Sequence, residues 1–374
     1  MTPLILIAAG GTGGHLFPAE ALSEALQQRG WEVELVTDRR GEAFAKDFPA
    51  RRIHALPAAT PFGKKGIGKP RAALTLGFGI LKALALIRRL KPAGIVGFGG
   101  YPTVAPLLAA GFLRVPSILH EQNAVLGRAN RLLAKRVDAI ATGFAEIGGA
   151  SPALLAKSRH VGNPVRPAVV DASRTPYDPP RQGGVLRLLV FGGSQGARIM
   201  SDVVPAAVAH LTVPERARLQ IVQQARREDF ARVREAFAQA GVEVELAPFF
   251  RDLPFHMARS QLVIARAGAS TVAEIAVIGR PSILVPLPGS LDQDQAGNAR
   301  SLADIGAATM LSQAQFQPEA LADMLSQFLF APSPLAEMAA RARKASIPDA
   351  AERLADLVAK TARLTSVQAL GEVA

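Results

Sequence analysis

A buried strand that runs into a glycine-rich turn and then a helix occurs twice in this sequence, once in each half. The apolar run Leu4–Ala8 leads into GGTGG at residues 10–14, and the run Leu186–Phe191 leads into GGSQG at residues 192–196. Continuous apolar runs of this length are typical of parallel strands buried on both faces. The repeated pattern therefore predicts an α/β fold built from two Rossmann-like parallel-sheet domains.

Shorter strand candidates alternate with helical patterns along the rest of the chain. Those of the first half are Trp31–Thr37, Gly94–Gly97, Ser117–His120 and Ala139–Thr142, and those of the second half are Leu219–Gln223, Val242–Leu246, Leu262–Ala265 and Ser282–Val285. A length of 374 residues suits two domains of ~100–200 residues each. Proline is dense between residues 162 and 180, where the periodicity stops, so we expect the join there.

The net charge of +12 is concentrated in the first half of the chain. Residues 1–165 hold 21 lysines and arginines against 10 acidic residues, whereas the remainder holds 22 against 21. No acidic residue lies between Asp47 and Glu121, although 11 basic residues do. This distribution favours an anionic partner, such as nucleic acid, anionic lipid or a phosphorylated substrate. The alternative is a basic surface kept for solubility, in which basic and acidic residues would be interspersed.

The stretch Ala72–Ile87 is apolar and is bracketed by lysines and arginines. Its 16 residues are fewer than the ~20 that cross a bilayer, and Lys82 interrupts it. The pattern is typical of a helix on an anionic membrane surface, with an ordinary buried helix as the alternative.

The chain contains no cysteine, which excludes disulfides, thiolate nucleophiles and cysteine-based metal sites. Its start does not resemble a secretory signal.

The first glycine loop predicts a site for an anion or a polar ligand. Its glycines allow close backbone approach, and the helix behind it presents unpaired amides. It does not fit the dinucleotide fingerprint, because Leu16 stands where glycine or alanine is needed. It is also not a Walker A loop, because no GK[ST] follows it. Asp38, at the end of the second strand, keeps a dehydrogenase as an alternative.

His15 follows this loop at the start of a helix. The positive end of a helix dipole disfavours an imidazolium, and a neutral imidazole is what a general base needs near pH 7. The alternative is a loop histidine that bonds to backbone.

Three further polar segments follow predicted strands. HEQN at residues 120–123 would point into the crevice of the first sheet, and nothing completes a metal site around its His-Glu pair. In the second half, Glu274 lies one turn inside a helix that starts near Gly268, where it would cap the helix or bind a ribose diol. The amides and carboxylates of residues 292–298 suit sugar hydroxyls or form a plain solvated loop.

Seven motifs stand in order along the chain: GGTGGH with FP (residues 10–15 and 17–18), GFGGY (97–101), HEQN (120–123), GNPVR (162–166), GGSQGAR (192–198), GASTVAE (268–274) and DQDQAGNA (292–299). Together they resemble the bacterial peptidoglycan N-acetylglucosaminyltransferases of glycosyltransferase family 28. The resemblance runs from about residue 4 to residue 355. Each motif alone is weak, whereas seven in register are very specific.

The resemblance implies a GT-B fold, in which two Rossmann-like domains face each other across a cleft. Residues 1–163 would bind the acceptor and face the membrane, residues 164–345 would bind UDP-GlcNAc, and residues 346–374 would supply a helix that packs back on the first domain, plus a tail. The implied reaction is inverting transfer of GlcNAc from UDP-GlcNAc to the 4-hydroxyl of the muramoyl unit of lipid I, which forms lipid II.

The same resemblance implies no cofactor, since UDP-GlcNAc is the donor substrate. It also implies no metal, since helix N-termini neutralise the diphosphate. Asp292 and Asp294 match a metal-binding DxD motif only by coincidence. It implies a peripheral enzyme at the cytoplasmic face of the inner membrane, where it would meet lipid I, the anionic membrane surface and the cell-wall and division machinery, and it implies no nucleic-acid partner. The membrane-facing residues are expected to be Leu76, Phe78, Ile80 and Leu81.

Roles follow from positions in the motifs. His15 is the candidate base, and Glu121 is a second candidate or a group that orients the acceptor. Glu274 should hold the ribose, the Phe250 backbone the uracil, and Gln295 the GlcNAc hydroxyls. Phe250 is larger than the aliphatic residue expected there, and Asp294 replaces a more typical histidine or glutamine. The expected donor-binding residues are Thr12, Gly13, Gly14, Asn123, Arg166, Ser194, Phe250, Ala269, Ser270, Thr271, Val272, Ala273, Glu274, Asp292, Gln295 and Asn298.

Two rival readings stay open on the sequence. Another GT-B enzyme, such as a diacylglycerol glucosyltransferase or a UDP-GlcNAc epimerase, would share the loops and differ in its acceptor or reaction. A nucleic-acid-binding protein would explain the basic charge. However, two tyrosines and one tryptophan give few stacking platforms, and no recognition motif is evident.

Overall fold

The computed structural model describes residues 2–10, 13–58, 68–193, 196–290 and 293–364. The chain divides into two compact units, one of residues 1–166 with 348–374 and one of residues 167–347. The joins expected from the sequence, after residues 163 and 345, lie slightly before these divisions. Arg166, expected in the second domain, belongs to the first unit, because its guanidinium stacks on the ring of Phe17 in that unit.

The described residues form thirteen strands and sixteen helices. The strands are β1 (Leu4–Ala8), β2 (Glu32–Thr37), β3 (Arg52–Ala55), β4 (Gly94–Gly97), β5 (Ser117–Glu121), β6 (Ala139–Thr142), β7 (Ser158–His160), β8 (Leu186–Phe191), β9 (Leu219–Gln224), β10 (Val244–Ala247), β11 (Leu262–Ala265), β12 (Ser282–Leu284) and β13 (Ala308–Met310). The helices are α1 (Gly13–Gln28), α2 (Arg39–Phe44), α3 (Gly68–Leu90), α4 (Val104–Leu113), α5 (Arg128–Leu133), α6 (Pro152–Ala156), α7 (Pro167–Ala172), α8 (Arg198–His210), α9 (Val213–Arg216), α10 (Phe230–Gln239), α11 (Leu253–Arg259), α12 (Ala269–Ile278), α13 (Asp294–Ala303), α14 (Pro318–Phe330), α15 (Ser333–Lys344) and α16 (Ala350–Ala362).

The first unit is built on a parallel sheet with the strand order β3-β2-β1-β4-β5-β6-β7. Leu6 of β1 pairs with Glu34 of β2 on one side and with Ile95 of β4 on the other. The order turns back between β1 and β4, so this is a doubly wound sheet. In such sheets ligands bind beyond the carboxyl ends of the strands, beside the point of reversal.

Helices cover both faces of this sheet, which explains why β1 is apolar throughout. Ile5 and Ile7 point into a core that includes Leu22 of α1 and Leu354 of α16. Leu6 and Ala8 point into the opposite core, formed with α3, α4 and α5. Successive side chains of a strand alternate between faces, so a strand covered on both sides needs no polar position.

The C-terminal helix α16 is part of the first unit. Val358 is buried in the same core as Leu354, and Arg29 at the end of α1 forms ion pairs of 2.7 Å with both Glu352 and Asp356. Helix α16 therefore completes one face of the first sheet, although nearly two hundred residues separate it from the rest of that unit.

The second unit repeats the design with the strand order β10-β9-β8-β11-β12-β13, again parallel throughout. Leu188 and Val190 of β8 lie in a core with Val204 of α8, Phe237 of α10 and Leu325 of α14. The order reverses between β8 and β11, which places the second expected ligand edge at the ends of those two strands.

The sequence predicted the long apolar strands and missed three short ones. Arg52–Ala55 and Ser158–His160 contain little that is apolar and lie at the edges of the first sheet, and Ala308–Met310 is an edge strand of three residues. Two helices begin earlier than their apolar patterns, at Gly13 and Gly68. Edge strands need few apolar residues, because one side and much of each face stay exposed.

Glu34 is a buried carboxylate on the edge side of the first sheet. It is 2% exposed, and it accepts hydrogen bonds from the guanidinium of Arg51 at 2.6 Å and from the imidazole of His54 at 2.6 Å. Burial by itself would raise the pKa of Glu34, but the hydrogen bonds from His54 and Arg51 outweigh it and leave the pKa below its usual value. The ionised carboxylate therefore stabilises the fold above the pKa of an unfolded glutamate.

We predict that Glu34→Gln lowers the free energy of unfolding at pH 7 by about 1–3 kcal/mol, because it removes a buried charge that accepts hydrogen bonds from Arg51 and His54. The loss should shrink as the pH falls through the folded pKa of Glu34, which lies below that of an unfolded glutamate. Urea unfolding between pH 3 and 7 measures this difference. Glu32→Gln, which removes a more exposed carboxylate bound to the same Arg51, is the matched control and should cost less than about 1 kcal/mol. Equal effects of the two variants would contradict the assignment.

Candidate functional site

His15 lies in the first turn of α1, beyond the carboxyl end of β1, and is partly exposed. A β-carbon at residue 100 would lie 3.5 Å from both Nε2 and Cδ2 of His15. Gly100 has a φ of +74°, a conformation that favours glycine, and it follows β4, the strand beside β1. The glycine turn after β4 therefore lies against the imidazole at the reversal point.

His120 lies near the end of β5. It is fully buried, its ring centroid lies 5.3 Å from that of Phe98, and its Nε2 lies 3.1 Å from the carbonyl oxygen of Gly162. Burial lowers the pKa of His120 to about 4; nearby His15 adds to the effect and the Gly162 carbonyl opposes it. At neutral pH His120 is therefore uncharged and donates from Nε2 to Gly162.

The Glu121 carboxylate is only 1% exposed and is surrounded by donors. Its Oε1 accepts from the amide of Asn123 at 2.9 Å, and its Oε2 accepts from the amide of Gly127 at 2.9 Å and from Nδ2 of Asn130 at 2.8 Å. Burial raises the pKa of Glu121, and these hydrogen bonds partly offset the rise. Both oxygens thus shape the loop between β5 and α5.

Asn130 continues this network to the glycine turn. A β-carbon at residue 99 would lie 3.2 Å from the side-chain amide of Asn130, and Gly99 has a φ of +81°. The carboxylate of Glu121 holds Asn130, and Asn130 packs under Gly99, which adjoins Gly100 at the imidazole of His15. The sequence analysis did not single out Asn130, because nothing in its spacing from HEQN marks it.

Two further amides brace the same edge. Gln122 donates from Nε2 to the carbonyl of Phe98 at 3.1 Å, and Asn163 donates from Nδ2 to the carbonyl of Gln122 at 2.9 Å. Asn163 occupies the space where a β-carbon of residue 143 would stand, so Gly143 has to be glycine. The motifs HEQN and GNP therefore connect the segments that follow β4, β5 and β7.

Other predicted residues of the first unit lie around this edge. Gly13 and Gly14 begin α1, and Asn123 follows β5, whereas Thr12 lies outside the described residues. The guanidinium carbon of Arg166 lies 4.2 Å from the ring centroid of Phe17, one turn after Gly13. Asp38 caps α2 and accepts from the amide of Gly41 at 2.7 Å, so its carboxylate has a structural use that the dehydrogenase alternative did not anticipate.

In the second unit, α12 begins at the carboxyl end of β11 with Gly268 as its N-cap. The N-cap is a glycine and so offers no capping side chain of its own, and the amide of Val272 bonds to the carbonyl of Gly268 at 3.0 Å. The first amides of a helix have no acceptor within it and favour an anion. The predicted run from Ala269 to Glu274 therefore forms the first two turns of this helix, and Glu274 is 5% exposed.

Arg266 fixes the backbone that leads into α12. Its guanidinium donates to the carbonyls of Val285 at 3.1 Å and Pro286 at 3.0 Å and to the side chain of Gln313 at 2.6 Å. Burial lowers the pKa of Arg266. Asn298, fully buried, donates to the carbonyl of Ala267 at 3.1 Å.

Of the remaining predicted donor residues, Asp294 and Gln295 begin α13, and Phe250 follows β10. Gln295, in the first turn of α13, accepts from the amide of Leu287 at 3.0 Å. Asp294 begins that helix and accepts from the amide of Gln295 at 2.7 Å. The ring of Phe250 is buried and its centroid lies 4.8 Å from that of His256, so this side chain faces the protein interior. Ser194 and Asp292 lie outside the described residues.

Helix α3 presents an apolar stripe to solvent, and the stripe contains two of the four residues expected to face the membrane, Phe78 and Leu81. Leu76 and Ile80 are half-buried against the core under α3 and α4, whereas Leu74, Phe78 and Leu81 are 76%, 53% and 65% exposed. These three residues are four and three positions apart and so share one face of the helix. We call them the α3 stripe.

Basic residues border the α3 stripe. Arg71 lies three positions before Leu74 and Arg88 seven positions after Leu81, so both follow the same helix face, and both are exposed. The Lys82 ammonium lies 4.7 Å from the ring centroid of Phe78. None of the described helices has the length and apolarity needed to cross a membrane. In the part of the chain that the structure describes, no three acidic or histidine side chains gather as a metal site would require.

Comparison with known proteins identifies the class of this two-unit fold. The N-terminal domain of glycosyltransferase family 28 matches residues 5–142, and the C-terminal domain of the same family matches residues 187–354. The chain therefore belongs to glycosyltransferase family 28, with the GT-B fold that the sequence predicted.

Several curated relatives carry the name of one enzyme of that family. The UDP-N-acetylglucosamine–N-acetylmuramyl-(pentapeptide) pyrophosphoryl-undecaprenol N-acetylglucosamine transferase of Methylobacterium sp. (strain 4-46) is 58% identical over 98% of this chain and 99% of its own. The enzyme of that name from Rhodopseudomonas palustris (strain ATCC BAA-98 / CGA009) is 54% identical over 97% and 99%.

Solved structures agree with this assignment. Acinetobacter baumannii MurG superposes with a TM-score of 0.78 at 30% identity, covering 96% of this chain and 99% of that one. A UDP-GlcNAc 2-epimerase from Neisseria meningitidis reaches a TM-score of 0.66 at 14% identity over 96% of this chain and 100% of that one, which shows a shared fold alone.

Proposed function

We propose that this protein transfers N-acetylglucosamine from UDP-GlcNAc to the 4-hydroxyl of the N-acetylmuramoyl unit of lipid I and so forms lipid II for peptidoglycan. The observation that carries the proposal is the 58% identity, over nearly the whole of both chains, to an enzyme named for this transfer. Two glycine-lined sheet edges, one in each unit, are consistent with one acceptor and one donor.

The donor site that we propose lies at the start of α12. The amides of this helix would bind the diphosphate of UDP-GlcNAc, and Glu274 would bind the ribose diol. Arg266 and Asn298 support the site from behind, because their bonds to Val285, Pro286 and Ala267 hold the segment before α12 in place. A buried, fully bonded support of this kind preorganises a site before the ligand arrives.

We propose His15 as the base and Glu121 as a positioning residue. His15 would take the proton of the acceptor 4-hydroxyl while that oxygen bonds to C1 of GlcNAc, and the bond from C1 to the diphosphate oxygen breaks, releasing UDP. Glu121 is poorly suited to this step, because both of its oxygens already accept hydrogen bonds inside the protein. Its contribution runs through Asn130 and the glycine turn.

His15→Ala should lower kcat by about 10²–10⁴-fold, with little change in the KM for UDP-GlcNAc, because it removes a base that acts in the transition state. The acidic limb of the kcat–pH profile should disappear with it. Glu121→Gln is the comparison variant, and it should lower the melting temperature while that limb persists. A His15→Ala defect confined to the acceptor KM, or loss of the limb in Glu121→Gln alone, would contradict the assignment.

We propose that the transfer needs no metal ion, because helix N-termini can neutralise the leaving diphosphate. The rate in EDTA should equal the untreated rate, and added Mg²⁺ should not raise it. Continuous UDP-release assays with lipid I measure both. A loss of activity in EDTA that Mg²⁺ restores would overturn this part of the proposal.

We propose that the α3 stripe rests on the anionic cytoplasmic face of the inner membrane, where lipid I is held. Its apolar side chains would enter the interface, and Arg71, Lys82 and Arg88 would face lipid phosphates at about 1 kcal/mol each. The excess of basic residues in the first half of the chain fits this orientation. Contact with cell-wall and division machinery stays a prediction.

Phe78→Ser with Leu81→Ser should weaken binding to phosphatidylglycerol vesicles by at least about tenfold, since each side chain contributes roughly 1.5–3 kcal/mol when buried. Phe330→Ser, which changes a side chain 77% exposed in the second unit, is the matched control and should bind as the unaltered protein does. Vesicle sedimentation measures both. Equal losses in the two variants would refute the surface.

A further inference from the structure

The end of strand β9 lies between two loops at the ligand edge of the second unit. Gln224 is the last residue of β9 and is 6% exposed. Its Oε1 accepts from the amide of Gly192 at 3.0 Å, and its Nε2 donates to the carbonyl of Pro248 at 3.3 Å. One side chain thus connects the loop after β8 with the loop after β10.

These two loops follow strands that do not pair with each other, because β9 lies between β8 and β10. Regular pairing ends at Val190 with Gln223 on one side and at Gln224 with Ala247 on the other. Gly192 and Pro248 both lie beyond the last paired residues. The side chain of Gln224 therefore supplies two hydrogen bonds beyond the last backbone pairs of β9, and these bonds hold the two loops in register.

A second contact from the same strand end supports the loop after β8. A β-carbon at residue 196 would lie 2.7 Å from Cγ of Arg226, and Gly196 has a φ of +70°. The guanidinium of Arg226 is held by Asp229, Nε to Oδ2, at 2.7 Å. The stem of Arg226 therefore packs on the far end of the loop that Gln224 holds at its start.

We propose that Gln224 is a positioning residue for the sugar nucleotide. It holds the loop that begins at Gly192 in register with the backbone around Phe250, so that two segments that carry predicted donor-binding residues, Ser194 and Phe250, are assembled before the ligand binds. This inference rests on the donor site proposed above. Without the bridge, binding would have to order the two loops, so the loss should fall on affinity more than on turnover.

The test uses the full-length protein with Gln224→Met, which has a similar length and neither hydrogen bond. The Kd for UDP by calorimetry and the KM for UDP-GlcNAc should both rise about tenfold, as expected for two lost hydrogen bonds of moderate strength. The kcat should change less than the KM, and the KM for lipid I should stay as it was. Gln224→Glu keeps the acceptor for Gly192 and loses the donor to Pro248. Its Kd for UDP should therefore lie between that of the unaltered protein and that of Gln224→Met.

Gln223→Met is the matched control. Gln223 is the neighbouring buried glutamine of β9, and its Nε2 contacts the carbonyl of Met200 in α8 at 3.4 Å and neither loop. Its Kd for UDP should stay unchanged. An equal rise in Gln223→Met and Gln224→Met would overturn the inference, since it would indicate general destabilisation.

Glu274→Ala separates this inference from the donor site itself. If Glu274→Ala loses UDP affinity while Gln224→Met binds normally, the bridge is wrong and the donor site stands. If neither variant changes the Kd for UDP, the donor site is misplaced and the inference fails with it.

Discussion

Both units depend on one constraint of a parallel sheet, which is that all its strands end at the same edge and backbone pairing stops there together. The loops beyond that edge need other partners for their polar groups, since an unpaired buried group is costly. In this protein buried side chains supply the partners: Glu121, Gln122 and Asn163 in the first unit, and Gln224 and Arg266 in the second.

Glycines work with these side chains, because they let buried groups come close to the backbone. Gly99 lies over Asn130, Gly100 lies against His15, and Gly196 lies on the stem of Arg226, each with a positive φ. A side chain at any of the three would be strained by conformation, and a β-carbon at Gly99 or Gly196 would also press on its neighbour. The glycine-rich motifs therefore leave room for the supporting side chains as well as for a ligand.

The sequence analysis predicted the two sheets and the family because both are written in local patterns. Apolar runs such as Leu4–Ala8 have few alternatives to a doubly covered parallel strand, and seven motifs in order are specific in combination. It was weaker where a residue's use depends on distant chain. Glu121 was predicted from its place in the HEQN motif as a second candidate base or a group that orients the acceptor, and only the structure shows that donors from Asn123, Gly127 and Asn130 surround its carboxylate.

The sequence by itself determined the fold class, the two glycine edges and the uneven distribution of charge, since each follows from residues close together in the chain. Tertiary structure decided which side chains of α3 face outward, that Asn130 lies beneath Gly99, and that Gln224 reaches both of its loops. These depend on how strands and helices far apart in sequence pack together, and a side chain's accessible partners are set by that packing rather than by its neighbours in the chain.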